Sequence, residues 1–276
     1  MSQSDDAMSS SNEISVQSEP SFFSDPETKN LFKTRHLGWK ILSWFLLGVI
    51  AANVASALLF KNYSRYRIEH DPAVVIVGLL GTWIGAMGAV FALSRRNGSG
   101  SLRRDYGFMF KAKDFLIGPL LGLGVQLISA LVFRIVISVR ALFSSESVKV
   151  LSDKAQNATD SLFPGHGLTR GILIVMIIVI TPLVEELFFR GLIFRWLRAG
   201  HTATYAVIIG GALFALPHIW PQTWGVPSLF CLGAIFCMTA ERYGRLGPSI
   251  VAHATFNAIT IVAVLHTGGV FYAWPH

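Results

Sequence analysis

Two adjacent glutamates, Glu185 and Glu186, interrupt the apolar run GILIVMIIVITPLVEELFFRGLIFRWL, and beyond Asp160 the chain's remaining acid is Glu241. A charged side chain at the centre of a membrane helix costs roughly 3 kcal/mol on insertion scales, so each needs compensation. Arg190 stands four residues after Glu186, on the same helical face, where the two can pair. Glu185 lies about 100° round the helix and has no such local partner. The spacing therefore divides the two acids: Glu186 is clamped by Arg190, and Glu185 is left for chemistry. Pro182, just upstream, lacks a backbone donor and predicts a kink that opens the helix to water or to another chain. Glu241 sits at a run end beside Arg242 and reads as a solvated interfacial residue.

Two histidines lie in other apolar runs. His218 has Phe214 one turn before it, and His253 has Asn257 one turn after it, so each pair shares a helix face. Singly, such residues serve as hydrogen-bonded packing groups or as interhelical glue. Their depth argues for more. At about 1.5 Å per residue, Glu185, His218, His253 and Asn257 all fall roughly 14–22 Å from one membrane face. Independent packing residues have little reason to align in one slab. Glutamate with histidine can deprotonate a water, and His253 and Asn257 can donate hydrogen bonds to a developing oxyanion. That is the equipment of an amide hydrolase whose nucleophile is water. Ser129 and Ser249 have no acid–base set beside them, and neither a GxSxG elbow nor an HExxH motif occurs. The same residues leave a metal open: Glu185, His218 and His253 would be three ligands of a catalytic zinc with a free fourth position.

These residues must be positioned by a membrane protein. The 276 residues are 52% hydrophobic and only 14% charged, against about 25% charged in an ordinary soluble domain. Apolar runs at about 38–60, 73–94, 115–139, 171–196, 203–216, 226–240 and 248–265 predict an all-α polytopic transmembrane bundle of about seven to eight spans. Residues 1–30, Ser-rich and acidic, predict a disordered tail. Lys33, Arg35 and Lys40, then Arg95, Arg96, Arg103, Arg104, Lys111 and Lys113, then Arg195 and Arg198, then Arg242 and Arg245 share one face when seven spans alternate with the N-terminus cytoplasmic. The expected location is the cell membrane. The formal net charge of +7 is thus spent on orientation in lipid, which excludes a nucleic-acid partner. Two cysteines, Cys231 and Cys237, exclude a disulfide framework. Gly81, Gly85 and Ala89 predict close helix packing.

At the chemical residues the sequence resembles the CPBP family of intramembrane proteases, also called Abi proteins, which includes the type II CAAX prenyl endopeptidases. The family's EExxxR reads here as Glu185-Glu186-Leu-Phe-Phe-Arg190, its FxxxH as Phe214-Ala-Leu-Pro-His218, and its HxxxN as His253-Ala-Thr-Phe-Asn257. The resemblance implies an active site in a cavity among these helices, with Glu185 and His218 activating water and His253 and Asn257 stabilising the oxyanion. Glu186, Arg190 and Phe214 would be supporting residues. The expected organisation is a tail (1–30), N-terminal transmembrane helices (31–145), an external loop (146–168) and a catalytic core (169–270). The expected function is hydrolysis of a membrane-associated, CAAX-like peptide or protein. The alternatives are a scaffold or immunity protein that binds a peptide in the same cavity without cutting it, and a proton-coupled transporter.

Overall fold

The computed structural model describes residues 31–33, 36–160, 167–219 and 223–267. The tail expected over residues 1–30 lies outside them. Every described element is a helix: α1 Leu37–Leu59, α2 Arg65–His70, α3 Pro72–Asn97, α4 Leu102–Tyr106, α5 Asp114–Leu142, α6 Val148–Asp160, α7 Gly167–Gly200, α8 Ala203–His218, α9 Val226–Tyr243 and α10 Gly247–Thr267. Each of the seven expected apolar runs has become a helix. Five of them, α1, α3, α5, α7 and α10, are long and apolar enough to cross a membrane. The expected seven to eight spans are thus reduced to five among the described residues. Helix α8 is short, and Glu241 and Arg242 lower the hydropathy of α9, which has only 18 residues. An all-helical polytopic membrane bundle results, with lipid against its long apolar helices.

Small residues decide how closely the helices approach. Helix α3 opens with Asp71, whose carboxylate accepts from the Ala73 N–H at 3.0 Å, and with Pro72 in its first turn, where a missing donor costs nothing. It then packs on α1. A Cβ on Gly81 would collide with the Ala52 Cβ, and one on Gly85 would stand 2.7 Å from the Gly48 Cα. With no net hydrophobic force between helices in lipid, such contact is a main source of association. Gly81→Ala is therefore expected to lower stability by about 1–3 kcal/mol through overpacking. Thermal unfolding of the purified protein in detergent checks this, and an unchanged midpoint would reject the close approach. Helices α8 and α9 meet in the same way, since a Cβ on Gly233 would lie 3.0 Å from the Gly211 Cα.

One end of the bundle is closed by buried polar groups. Arg245 pairs with Asp114, whose other oxygen accepts from the Lys111 N–H at 2.9 Å. Arg195 donates to the Asp105 carbonyl at 3.1 Å, and the Asp105 carboxylate accepts from the Ser94 hydroxyl and from the Ser99 N–H at 3.0 Å. The chain between α3 and α5 is stitched to the α9–α10 turn by Leu246 N–H to Gly107 O (2.9 Å) and Gly247 N–H to Met109 O (3.2 Å). Gly107 is at φ +69°, and a Cβ there would collide with the Arg195 Nη2, so backbone conformation and space both require glycine. Tyr106, fully buried, donates to the Val90 carbonyl at 2.9 Å, and burial pushes its phenol pKa up. Glu241 differs from expectation. It accepts from Arg198 of α7 at 2.8–3.1 Å, so it is a bridge between helices rather than a solvated end.

The segment expected as a loop over 146–168 contains α6. Leu151 of this helix is fully buried against Phe133 and Ile137 of α5, with Trp224 packed on the same cluster.

Candidate active site

Helix α7 carries both glutamates, and its winding is irregular where they sit. The backbone stays helical through Pro182, but the turns widen over Met176–Ile180 and again over Glu186–Phe194. Widened turns of this kind recur at functional sites because they change which side chains share a face. The expected kink is thus a change of winding.

Within the second wide segment Arg190 donates through Nη1 to Glu186 Oε1 at 2.9 Å, and both side chains are 0% exposed. Its Nη2 donates to the Gly233 carbonyl of α9 at 3.2 Å. Two rings enclose the guanidinium, Phe214 of α8 at 4.3 Å and Phe236 of α9 at 5.2 Å from their centroids. A desolvated guanidinium gains most from such faces. Charge, carbonyl and aromatic partners together offset part of the cost of an arginine with no access to water.

His253 of α10 reaches the same carboxylate. Its Nδ1 lies 3.1 Å from Glu186 Oε1, and because a carboxylate oxygen only accepts, Nδ1 is the donor. That fixes the ring and turns Nε2 toward Glu185, whose Oε2 is 3.7 Å away. The Glu185 side chain retains 19% exposure while those of Glu186 and Arg190 retain none. His253 therefore stands between a sealed carboxylate and a reachable one. Its ring also contacts Phe214 (5.9 Å) and Phe236 (5.3 Å).

His218 ends α8 in a tighter turn, Leu216–His218, and is half-buried. Its Nδ1 donates to the Phe214 carbonyl at 2.9 Å, which leaves Nε2 as the proton-accepting nitrogen. The Phe214 ring touches both imidazoles, His218 at 5.2 Å and His253 at 5.9 Å. Asn257, one turn beyond His253, gives an Nδ2 hydrogen to the Ile177 carbonyl of α7 at 2.8 Å.

Glu185, Glu186, Arg190, Phe214 and His253 thus form one continuous cluster, with His218 attached through Phe214 and Asn257 tied to the α7 backbone. Among the described residues no three His, Cys, Asp or Glu side chains come together as a metal-holding group. The zinc that Glu185, His218 and His253 leave open in the sequence is therefore without support from such a group. Phe236 and Gly233 belong to the cluster but are absent from the sequence-based set. Nothing in a run of apolar residues separates Phe236 from the other phenylalanines, of which the chain has 20 in total.

Residues 168–259, the stretch that supplies these side chains, match the family model for type II CAAX prenyl endopeptidase Rce1-like proteins. Among curated proteins, UPF0177 protein YbdI of Lactococcus lactis subsp. lactis (strain IL1403) is 28% identical over 115 residues, covering 42% of this chain. The chain spans 61% of the length of that relative. No solved structure matches. The resemblance carried by the three motifs therefore holds, and a type II CAAX prenyl endopeptidase Rce1-like domain is identified over residues 168–259 of the chain.

Proposed function

We propose that this protein is an intramembrane endopeptidase that hydrolyses a peptide bond of a membrane-associated substrate, with water as nucleophile. The family description points to CAAX-like, prenylated C-termini as the substrate class. The observation that carries the reading is the reachable Glu185 carboxylate held 3.7 Å from the Nε2 of an imidazole whose own orientation is fixed by a buried acid. In this scheme Glu185, assisted by His218, takes a proton from water while the water oxygen attacks the carbonyl carbon. His253, held through Nδ1 by Glu186, then faces the developing oxyanion through Nε2. The proton returns to the amide nitrogen, the C–N bond breaks, and an acid and an amine leave. Glu186 and Arg190 hold His253 and the turn that presents Glu185. The Lys and Arg clusters favour a cytoplasmic N-terminus and the cell membrane as location.

The test is the purified protein in lipid vesicles, incubated with membrane-tethered peptides with and without a zinc chelator, with products read by mass. Cleavage that survives complete metal removal is expected. Loss of cleavage on chelation, restored by zinc, would overturn the glutamate mechanism. Binding with no change in any peptide's mass would favour the scaffold instead.

A further inference from the structure

Asn257 stands in the position that the family resemblance ties to the oxyanion, yet one of its two amide N–H groups is bonded to the backbone of another helix, and the reason lies in α7. In the first wide segment the Thr181 N–H bonds to the Met176 carbonyl, five residues back. The next rung of that ladder would run from residue 182 to the Ile177 carbonyl. Residue 182 is proline and has no N–H to give. An acceptor left unsatisfied away from water carries the full cost of its desolvation. Asn257 Nδ2 donates to that carbonyl, Ile177 O, at 2.8 Å across the α7–α10 contact. The donor that Pro182 lacks is supplied by another helix.

We infer that Asn257 is a positioning residue: its side-chain amide replaces the missing N–H of Pro182 at the Ile177 carbonyl and so fixes the winding of α7 that presents Glu185 to His253. Three features converge on this. The orphaned carbonyl comes eight residues before Glu185, on the same continuous helix. Asn257 and His253 share a face of α10, so the strut to Ile177 and the imidazole against Glu185 and Glu186 come from adjacent turns of one helix. And asparagine has the donor and the length to reach a neighbouring backbone, as interhelical amides do in lipid. Fixing α10 against the bulge therefore sets the distance between the carboxylates and the ring. The inference rests on the endopeptidase reading for its effect on rate, but not for its effect on the backbone.

A double-substitution cycle separates this role from direct contact with the oxyanion. Pro182→Ala restores an N–H at residue 182. Asn257→Ala in the otherwise unchanged chain is expected to lower kcat about ten- to a hundredfold with little change in KM, as an orphaned part-buried acceptor inside the membrane implies. In the Pro182→Ala background the same substitution is expected to change kcat by no more than about twofold. An equal loss in both backgrounds would overturn the inference, because a restored backbone donor cannot replace a group that touches the reacting oxygen. Full activity of Asn257→Ala with Pro182 in place would overturn it as well. Amide hydrogen exchange over residues 176–183 provides a readout independent of catalysis. Asn257→Ala should speed exchange there, and Pro182→Ala should reverse the effect. Unchanged exchange would defeat the inference even if the protein cleaves peptides, and the expected pattern would support it even if no peptide is cut. Should Asn257→Ala alone fail to fold, recovery of folded protein in the double variant supports the inference and failure of both overturns it.

Discussion

Glu185→Gln is expected to reduce peptide cleavage by about 10²–10⁴-fold while leaving the amount of folded protein unchanged. The amide preserves the shape of the side chain and removes its ability to take a proton. Two features make Glu185 the acid for this test. Its side chain keeps partial exposure, so removing the charge relieves desolvation rather than creating an empty site. Its neighbour Glu186 cannot substitute, because its Oε1 is shared by Arg190 and His253 and the whole side chain is sealed from solvent. Glu241 is bound to Arg198, near the closed end of the bundle. Cleavage is measured by product mass in vesicles, with folded protein quantified by size-exclusion chromatography. Full activity of the variant would remove the basis for the enzyme reading.

The largest stability effect is expected at Arg190. Arg190→Met keeps an unbranched chain of similar length between Phe214 and Phe236 but leaves Glu186, still in contact with His253, without its guanidinium counter-ion. Breaking a fully buried ion pair on one side costs about 3–5 kcal/mol, because the other charge stays buried and uncompensated. Adding Glu186→Gln removes that charge, so the double variant should recover much of the loss. Thermal unfolding in detergent of the two single variants and the double completes the cycle. If Arg190→Met unfolds at the wild-type temperature, the pair does not hold this part of the bundle together.

How much of this is legible in the sequence depends on the range over which each interaction acts. The Glu186–Arg190 pair follows from a spacing of four within one helix, so it can be read directly. So can the three helices that carry the motifs, because apolar length and polar interruption are local properties. The approach of His253 to both carboxylates is not local. It depends on how α10 rotates against α7, which no single helix encodes. The widened turns are hidden for a related reason: Pro182 signals a missing hydrogen bond, but whether the helix bends, breaks or rewinds depends on Asn257, 75 residues later in the numbering. Arg195 and Arg245 read as orientation charges because their partners, Asp105 and Asp114, lie 90 and 131 residues earlier in the chain. A zinc set and a water-activating set use the same residue types, and only their arrangement in space distinguishes them.

The polar closure at one end of the bundle has a consequence for chimeras. The helices before α7 fall outside the recognised domain, which invites treating them as a generic anchor to be swapped for another protein's apolar spans. Such a graft would strip Arg245 of its counter-ion and Arg195 of the Asp105 carbonyl, leaving two buried cations short of partners at the end of the bundle where α7, the helix of both glutamates, terminates. The front half of the chain is therefore part of the scaffold on which the rear half is assembled, and a transplantable unit must carry Asp105 and Asp114 with it.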